Sequence, residues 1–162
     1  MRRLGLLVAL IVGSAGELSA QSVLERTPNL HGTWGLQSGH AAFAFAHRFE
    51  FIEGGDELFN IPTLTLAVGL PLGLTAGLEY SSNSEIVVGA RGQNETEYWL
   101  KRGFPLGSRA AVAGLVAYNG LAKSLDGALS ARADVGRLGL MGELRGFTDM
   151  FATGEAGAAG TV

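Results

Sequence analysis

From Ala41 onward the chain alternates apolar and polar side chains at a period of two, stretch after stretch, with charges in the middle of the polar series. That period belongs to an extended chain whose two faces meet different surroundings. In "HAAFAFAHRFEF", residues 40 to 51, Phe43, Phe45, Phe49 and Phe51 take one side, and Ala42, Ala44, Ala46, Arg48 and Glu50 the other. "PTLTLAVGL" separates Leu64, Leu66, Val68 and Leu70 from Thr63, Thr65, Ala67 and Gly69, and "LTAGLEYSS" separates Leu74, Ala76, Leu78 and Tyr80 from Thr75, Gly77, Glu79 and Ser81. The same reading predicts further strands at 94–104, 109–119, 125–135, 138–147 and 155–162. Turn residues bound them: "LPLG", "PLGS" and Gly136-Arg137 are short, whereas "EGGDELFN", "NSEIVVGARGQ" and "TDMFATG" are longer. No heptad and no amphipathic helix interrupts the series. The pattern predicts an all-β protein, an up-and-down antiparallel meander of about eight strands.

Which face points inward decides what such a protein is. A soluble sandwich puts large interdigitating groups inside and its polar face in water. Here the apolar faces are strings of Leu, Val, Ala and Gly with rings near their ends, Tyr80, Phe104 and Tyr118 among them. A lipid-facing belt with interfacial aromatics has that distribution, and only a closed barrel pairs every strand edge in hydrocarbon. The reading is therefore a transmembrane β-barrel over 41–162, its lumen lined by Arg48, Glu50, Glu79, Glu95, Glu97, Lys101, Arg109, Asp126, Arg132, Asp134, Glu143 and Arg145. Seven of these are acids and five are bases, which predicts a mixed lattice with slight cation preference rather than a selective ring. Arg102 falls on the lipid side, tolerable near an interface where its stem can snorkel. Arginine placed at Leu66, Leu78 or Leu129 is expected to cost more than arginine at Thr65, Gly77 or Ser130.

The first residues fit that location. "MRRLGLLVALIVGSAGELSAQS" has two arginines, an apolar run from Leu4 to about Val12, and small residues up to Ala20. This reads as a cleaved export signal over 1–20, its apolar run too short for the roughly 20 residues a spanning helix needs. Residues 21–40 follow as an arm, interrupted by Pro28, Gly32, Gly35 and Gly39, with room for one short strand near Trp34 and Leu36. Loss of Arg2, Arg3 and Glu17 from twelve bases and fifteen acids leaves ten against fourteen, no excess for nucleic acid. Without cysteine there is neither a disulfide framework nor a thiolate metal site. Export without disulfides suits a bacterial envelope protein.

An early "HRF" ending a Phe-alternating strand, then Leu58-Phe59, the "GLPLGLTAGLEYS" hairpin and the "EYWLKR" strand together resemble a porin-like family of outer-membrane β-barrels from Gram-negative bacteria. The likeness covers roughly residues 30 to 150 and rests on strand patterns. It implies an outer-membrane location and a barrel fold, with outer-membrane lipids and small solutes as partners. It carries no catalytic residues.

The residues themselves point to no catalysis and no cofactor. His40 and His47 lie seven apart on one extended stretch, about 23 Å at the strand rise, too far to share a metal. Ser38 and His40 near an acid such as Glu79 would be needed for an outer-membrane lipid hydrolase, a distant third reading, because Ser beside His in a polar turn is ordinary. The main alternative is a soluble periplasmic β-protein that binds a lipid or another apolar ligand. The last residues, "EAGAAGTV", carry no terminal ring, so the chain is expected to be the amino-terminal part of a larger barrel or an incomplete one. Its first and last strands are expected to be incompletely bonded, and the Ala and Gly on the inner faces of the second and fifth strands to fill a small barrel poorly.

Overall fold

The computed structural model describes residues 30–51, 58–84, 93–149 and 157–161, with the backbone alone at 47–51, 58–61, 83–84, 93, 159 and 161. The expected signal over 1–20 lies outside the described residues. Eight strands follow one another: β1 (Ala41–Phe51), β2 (Leu58–Gly69), β3 (Leu74–Ser84), β4 (Gln93–Pro105), β5 (Ala110–Asn119), β6 (Ser124–Val135), β7 (Leu138–Phe147) and β8 (Gly157–Thr161). They form one sheet in chain order, each neighbouring pair antiparallel, so the all-β meander is the fold of this chain. Among the described residues β1 is bonded to β2 alone and β8 to β7 alone, and the sheet is not closed.

The turns follow from their residues. Pro71 opens a single 3-10 turn between β2 and β3 in which Gly73 takes φ 70° and Leu72 φ 65°, and Leu70 N–H donates to Leu74 O at 2.8 Å. Gly136, at the first of two residues joining β6 to β7, has φ 64°, the positive φ that a two-residue hairpin needs. Between β4 and β5 Gly107 has φ 74° and Leu106 N–H donates to Ala110 O at 2.8 Å.

Strand ends shift by a few residues from the sequence reading, and three of the differences have a physical reason. β2 starts at Leu58, not Pro62, because its pairing with β1 continues to Leu58↔Phe51. Pro62 is tolerated where the β3 ladder has already ended at Thr63↔Ser81, so that the strand is an edge there. β5 starts at Ala110, since the hydrogen bond closing the preceding turn takes in Arg109. No short strand forms near Trp34; residues 30–40 run as an irregular arm.

The sheet curls. β4 and β7 are three strand spacings apart, about 14 Å on a flat sheet, where upright side chains could not meet. Yet the Arg145 guanidinium of β7 bonds the Glu97 carboxylate of β4. The curled-in face buries Thr63, Thr65 and Ala67 of β2, Thr75 and Ser81 of β3, Glu97, Trp99 and Lys101 of β4, Ala113, Leu115, Ala117 and Asn119 of β5, and Ser124, Asp126, Ala128 and Ser130 of β6. The other face leaves large apolar groups open: Leu129 is 70% exposed, Leu144 68% and Phe43 67%. Polar side chains inside and apolar ones outside invert the usual order of a water-soluble domain.

The inner face is not under-filled, because its small residues make room for large ones from elsewhere. A Cβ on Gly77 would fall 2.1 Å from the Trp99 ring, on Gly69 1.9 Å from Gln37 O, and on Gly103 2.9 Å from Thr33 O. The expected poor filling thus neglected Trp99 and the arm. Thr65, Gly77 and Ser130, where arginine was expected to enter an open lumen, face packed atoms instead.

Gly77→Ala therefore forces the Trp99 ring aside and should cost about 1–3 kcal/mol, whereas Gly146→Ala, whose Cβ meets nothing within 4 Å, should stay within about 0.5 kcal/mol. Denaturant unfolding followed by the fluorescence of the two tryptophans, Trp34 and Trp99, measures both.

Candidate functional site

The inner face of β4 carries Glu97, Trp99 and Lys101, at alternate positions of one strand. Lys101 is 1% exposed. Its ammonium donates to His31 O at 2.8 Å and sits 3.7 Å from the centroid of the Trp34 ring and 5.5 Å from that of Trp99. A buried cation needs such partners, since desolvation costs several kcal/mol and carbonyl dipoles and ring faces offset it. The tryptophans pack edge to face on each other, centroids 5.9 Å apart, and the His31 ring meets Trp99 at 5.7 Å.

The arm is tied to three further strands. Gly32 N–H donates to Glu143 Oε2 on β7 at 3.1 Å, and Leu36 N–H to Thr75 Oγ1 on β3 at 2.9 Å. His31 Nε2 stands 3.3 Å from Glu97 Oε1 on β4. At its far end Gly39 and His40 join β2 through Gly39 N–H to Gly69 O, 3.0 Å, and Gly69 N–H to His40 O, 2.8 Å. The arm runs through the curl as a plug.

Below the plug lies an ionic relay. Arg145 Nη2 bonds Glu97 Oε2 and stands 3.3 Å from Asp126 Oδ2, so one guanidinium serves two carboxylates. Asp126 Oδ1 accepts the Ser124 hydroxyl at 2.5 Å, and Ser124 Oγ accepts Asp149 N–H at 3.0 Å, which fixes the chain leaving β7. Glu143 Oε2 also accepts the Ser130 hydroxyl at 2.6 Å. Asn119 Nδ2 bonds Glu95, while its Oδ1 accepts the N–H groups of Leu121 and Ala122 at 3.0 Å each and caps the turn into β6.

Of the twelve residues expected to line a lumen, Glu97, Asp126, Glu143, Arg145 and Lys101 are brought together around the arm. Glu79 meets Thr65 Oγ1 at 3.5 Å, and Arg132 pairs with Asp134 at 3.2 Å nearer the short turns. Arg109 is the exception: it is exposed in the turn before β5, because the tight connection after Pro105 needs it there. The side chains of Arg48 and Glu50 lie outside the described residues. The sequence reading missed His31, Gly32 and Trp34. A tryptophan in a glycine-interrupted arm was the one signal, since such a ring has to be buried somewhere.

Chemically the arrangement pairs and fills. Among the described residues no group of three His, Cys, Asp or Glu could hold a metal ion. Ser38 and His40 are exposed where the arm turns into β1. A scan against protein-family models and searches of curated proteins and of solved structures found no match.

Arg145→Leu leaves two buried carboxylates facing each other and should cost about 3 kcal/mol. Adding Glu97→Gln to that variant should recover part of the loss. Denaturant unfolding of the single and double variants tests the relay; a double variant no more stable than Arg145→Leu would show that repulsion is not the cause.

Proposed function

We propose that the chain is an outer-membrane β-barrel of porin-like or structural type, exported by a cleaved signal, with lipid on its apolar face and no catalytic chemistry. The observation that carries this is the inverted distribution: Lys101, Glu97, Asp126 and Glu143 are buried while Phe43, Leu129, Leu138 and Leu144 stand exposed. A soluble barrel for an apolar ligand needs the opposite, an apolar interior inside a polar shell. Exposed apolar area of this extent in one continuous belt marks contact with lipid or partners.

Strand length supports the same reading. β1 to β7 run 10 to 13 residues each, and about 9–11 tilted residues cross a bilayer core. Tyr98 and Tyr118 pair in register on the outer face, six residues from Phe104 toward the longer connections. Rings at two levels with Leu and Val between them suit an interfacial girdle. The reading requires that the free edges of β1 and β8 be paired in the membrane, because hydrocarbon satisfies no backbone group.

The arm and the ion pairs fill the interior, so transport of small solutes through it would require the arm to move. Fractionation tests the location: the protein should remain in the outer-membrane fraction and show heat-modifiable gel mobility, and recovery as a soluble periplasmic protein would refute the barrel. Leu129→Arg, on the lipid face, should cost about 2–4 kcal/mol in vesicle refolding. In planar bilayers the full protein should conduct weakly; deletion of residues 30–37 should raise the conductance several-fold with a preference for cations, given the acids lining the relay. Equal conductance with and without the arm would show that it is not the plug.

A further inference from the structure

The outer face is not uniformly convex and greasy. A groove of about 860 Å³ crosses it from β3 to β8. Leu100, Val116, Leu129 and Leu144 wall it, and Gly127 and Gly146 form part of its floor. Its rows are set by register: Leu100↔Val116↔Gly127↔Gly146 and Arg102↔Gly114↔Leu129↔Leu144. At the β3–β4 end the groove meets a cation, Arg102, paired in register with Leu74.

Arg102 is costly on a lipid-facing strand unless its charge reaches an interface or an anion. Its guanidinium carbon lies 5.0 Å from the centroid of the Phe104 ring, two residues nearer the end of β4. The side chain therefore leans toward the short turns. That end of the sheet is basic among the described residues: Arg102, Arg109, Arg132 and Arg137 stand against Asp134, which is already paired with Arg132. A cation at the mouth of an apolar groove, on a rim with an excess of positive charge, matches a molecule with an anionic head and a hydrocarbon tail.

We infer that this groove is the seat of one anionic phospholipid, its acyl chain lying across β5 to β7 and its phosphate on Arg102. The inference rests on the membrane reading above and deepens it. The head group is selected by charge, the tail by the shape that Gly127 and Gly146 leave. Among the described residues Arg102 is the one arginine at the mouth of the groove, so anionic lipid is favoured over zwitterionic lipid by about fivefold.

The test titrates refolded protein in detergent with phosphatidylglycerol and, separately, with phosphatidylcholine of the same acyl chains, counting bound lipids by native mass spectrometry. The wild type should bind phosphatidylglycerol at least about fivefold more tightly. Arg102→Gln should bring the two lipids within about twofold of each other. Gly127→Leu with Gly146→Leu fills the groove from its floor, where a Cβ on Gly127 meets Leu115 O at 3.9 Å and one on Gly146 meets nothing within 4 Å. That double variant should weaken both lipids alike. No preference in the wild type, a preference that survives Arg102→Gln, or undiminished binding by the groove-filled variant overturns the assignment. Heat-modifiable mobility is recorded on every preparation: protein that has it but shows no lipid preference refutes the seat alone, and protein that lacks it refutes the barrel as well.

Discussion

Lys101 buries an ammonium at the middle of the central strand, and much of the interior follows from satisfying it. With its side chain almost fully withdrawn from water, its charge must be met by acceptors within reach. His31 O and the faces of Trp34 and Trp99 supply them, and two of those three groups come from the arm. The arm can enter only where the strands present no side chain, which is what Gly69 and Gly103 provide, while Gly77 gives Trp99 the space to lie flat. One cation thus accounts for the course of the arm and for three glycines on three strands.

Curvature has a second source in the pairs that span non-adjacent strands. Arg145 on β7 reaches Glu97 on β4, and Glu143 on β7 receives the arm that Lys101 holds from β4. Each bond draws the two halves of the sheet toward a common axis. In a low-dielectric interior such bonds are costly to leave unmade, so the curl and the ion pairs stabilise each other. Sheet twist alone would bend the strands without choosing this curl.

The faces of the sheet were legible in the sequence because strand parity is local: knowing that Glu97 is inside places Trp99 and Lys101 inside as well. Short turns were legible for the same reason, Pro71 and Gly73 or Gly136 declaring the backbone they need. The arm was not. Its bonds join residues 39, 70 and 111 positions apart, and nothing near Gly32 announces Glu143. Arg109 failed at a boundary, having inward parity but standing one residue before the strand that would have used it. Parity shows which side a residue takes once it is in a strand; only the hydrogen bond closing a turn shows where the strand begins.

The same bonds bear on what the interior can do. To leave the curl, the arm must break the Lys101, Glu143 and Thr75 hydrogen bonds, two of them to charged groups, and strip the Trp34 ring from a buried cation. At about 1.5–3 kcal/mol for each charged bond and about 1 for the neutral one, opening costs on the order of 5 kcal/mol. That corresponds to an open population of about one molecule in several thousand. The arm is therefore seated at rest, and anything that displaces it must act on differential contacts of comparable size. Arm and wall meet in the His31–Glu97–Arg145 chain, where one carboxylate faces His31 through Oε1 and Arg145 through Oε2, so the seat of the arm and the curl of the wall are held by the same group.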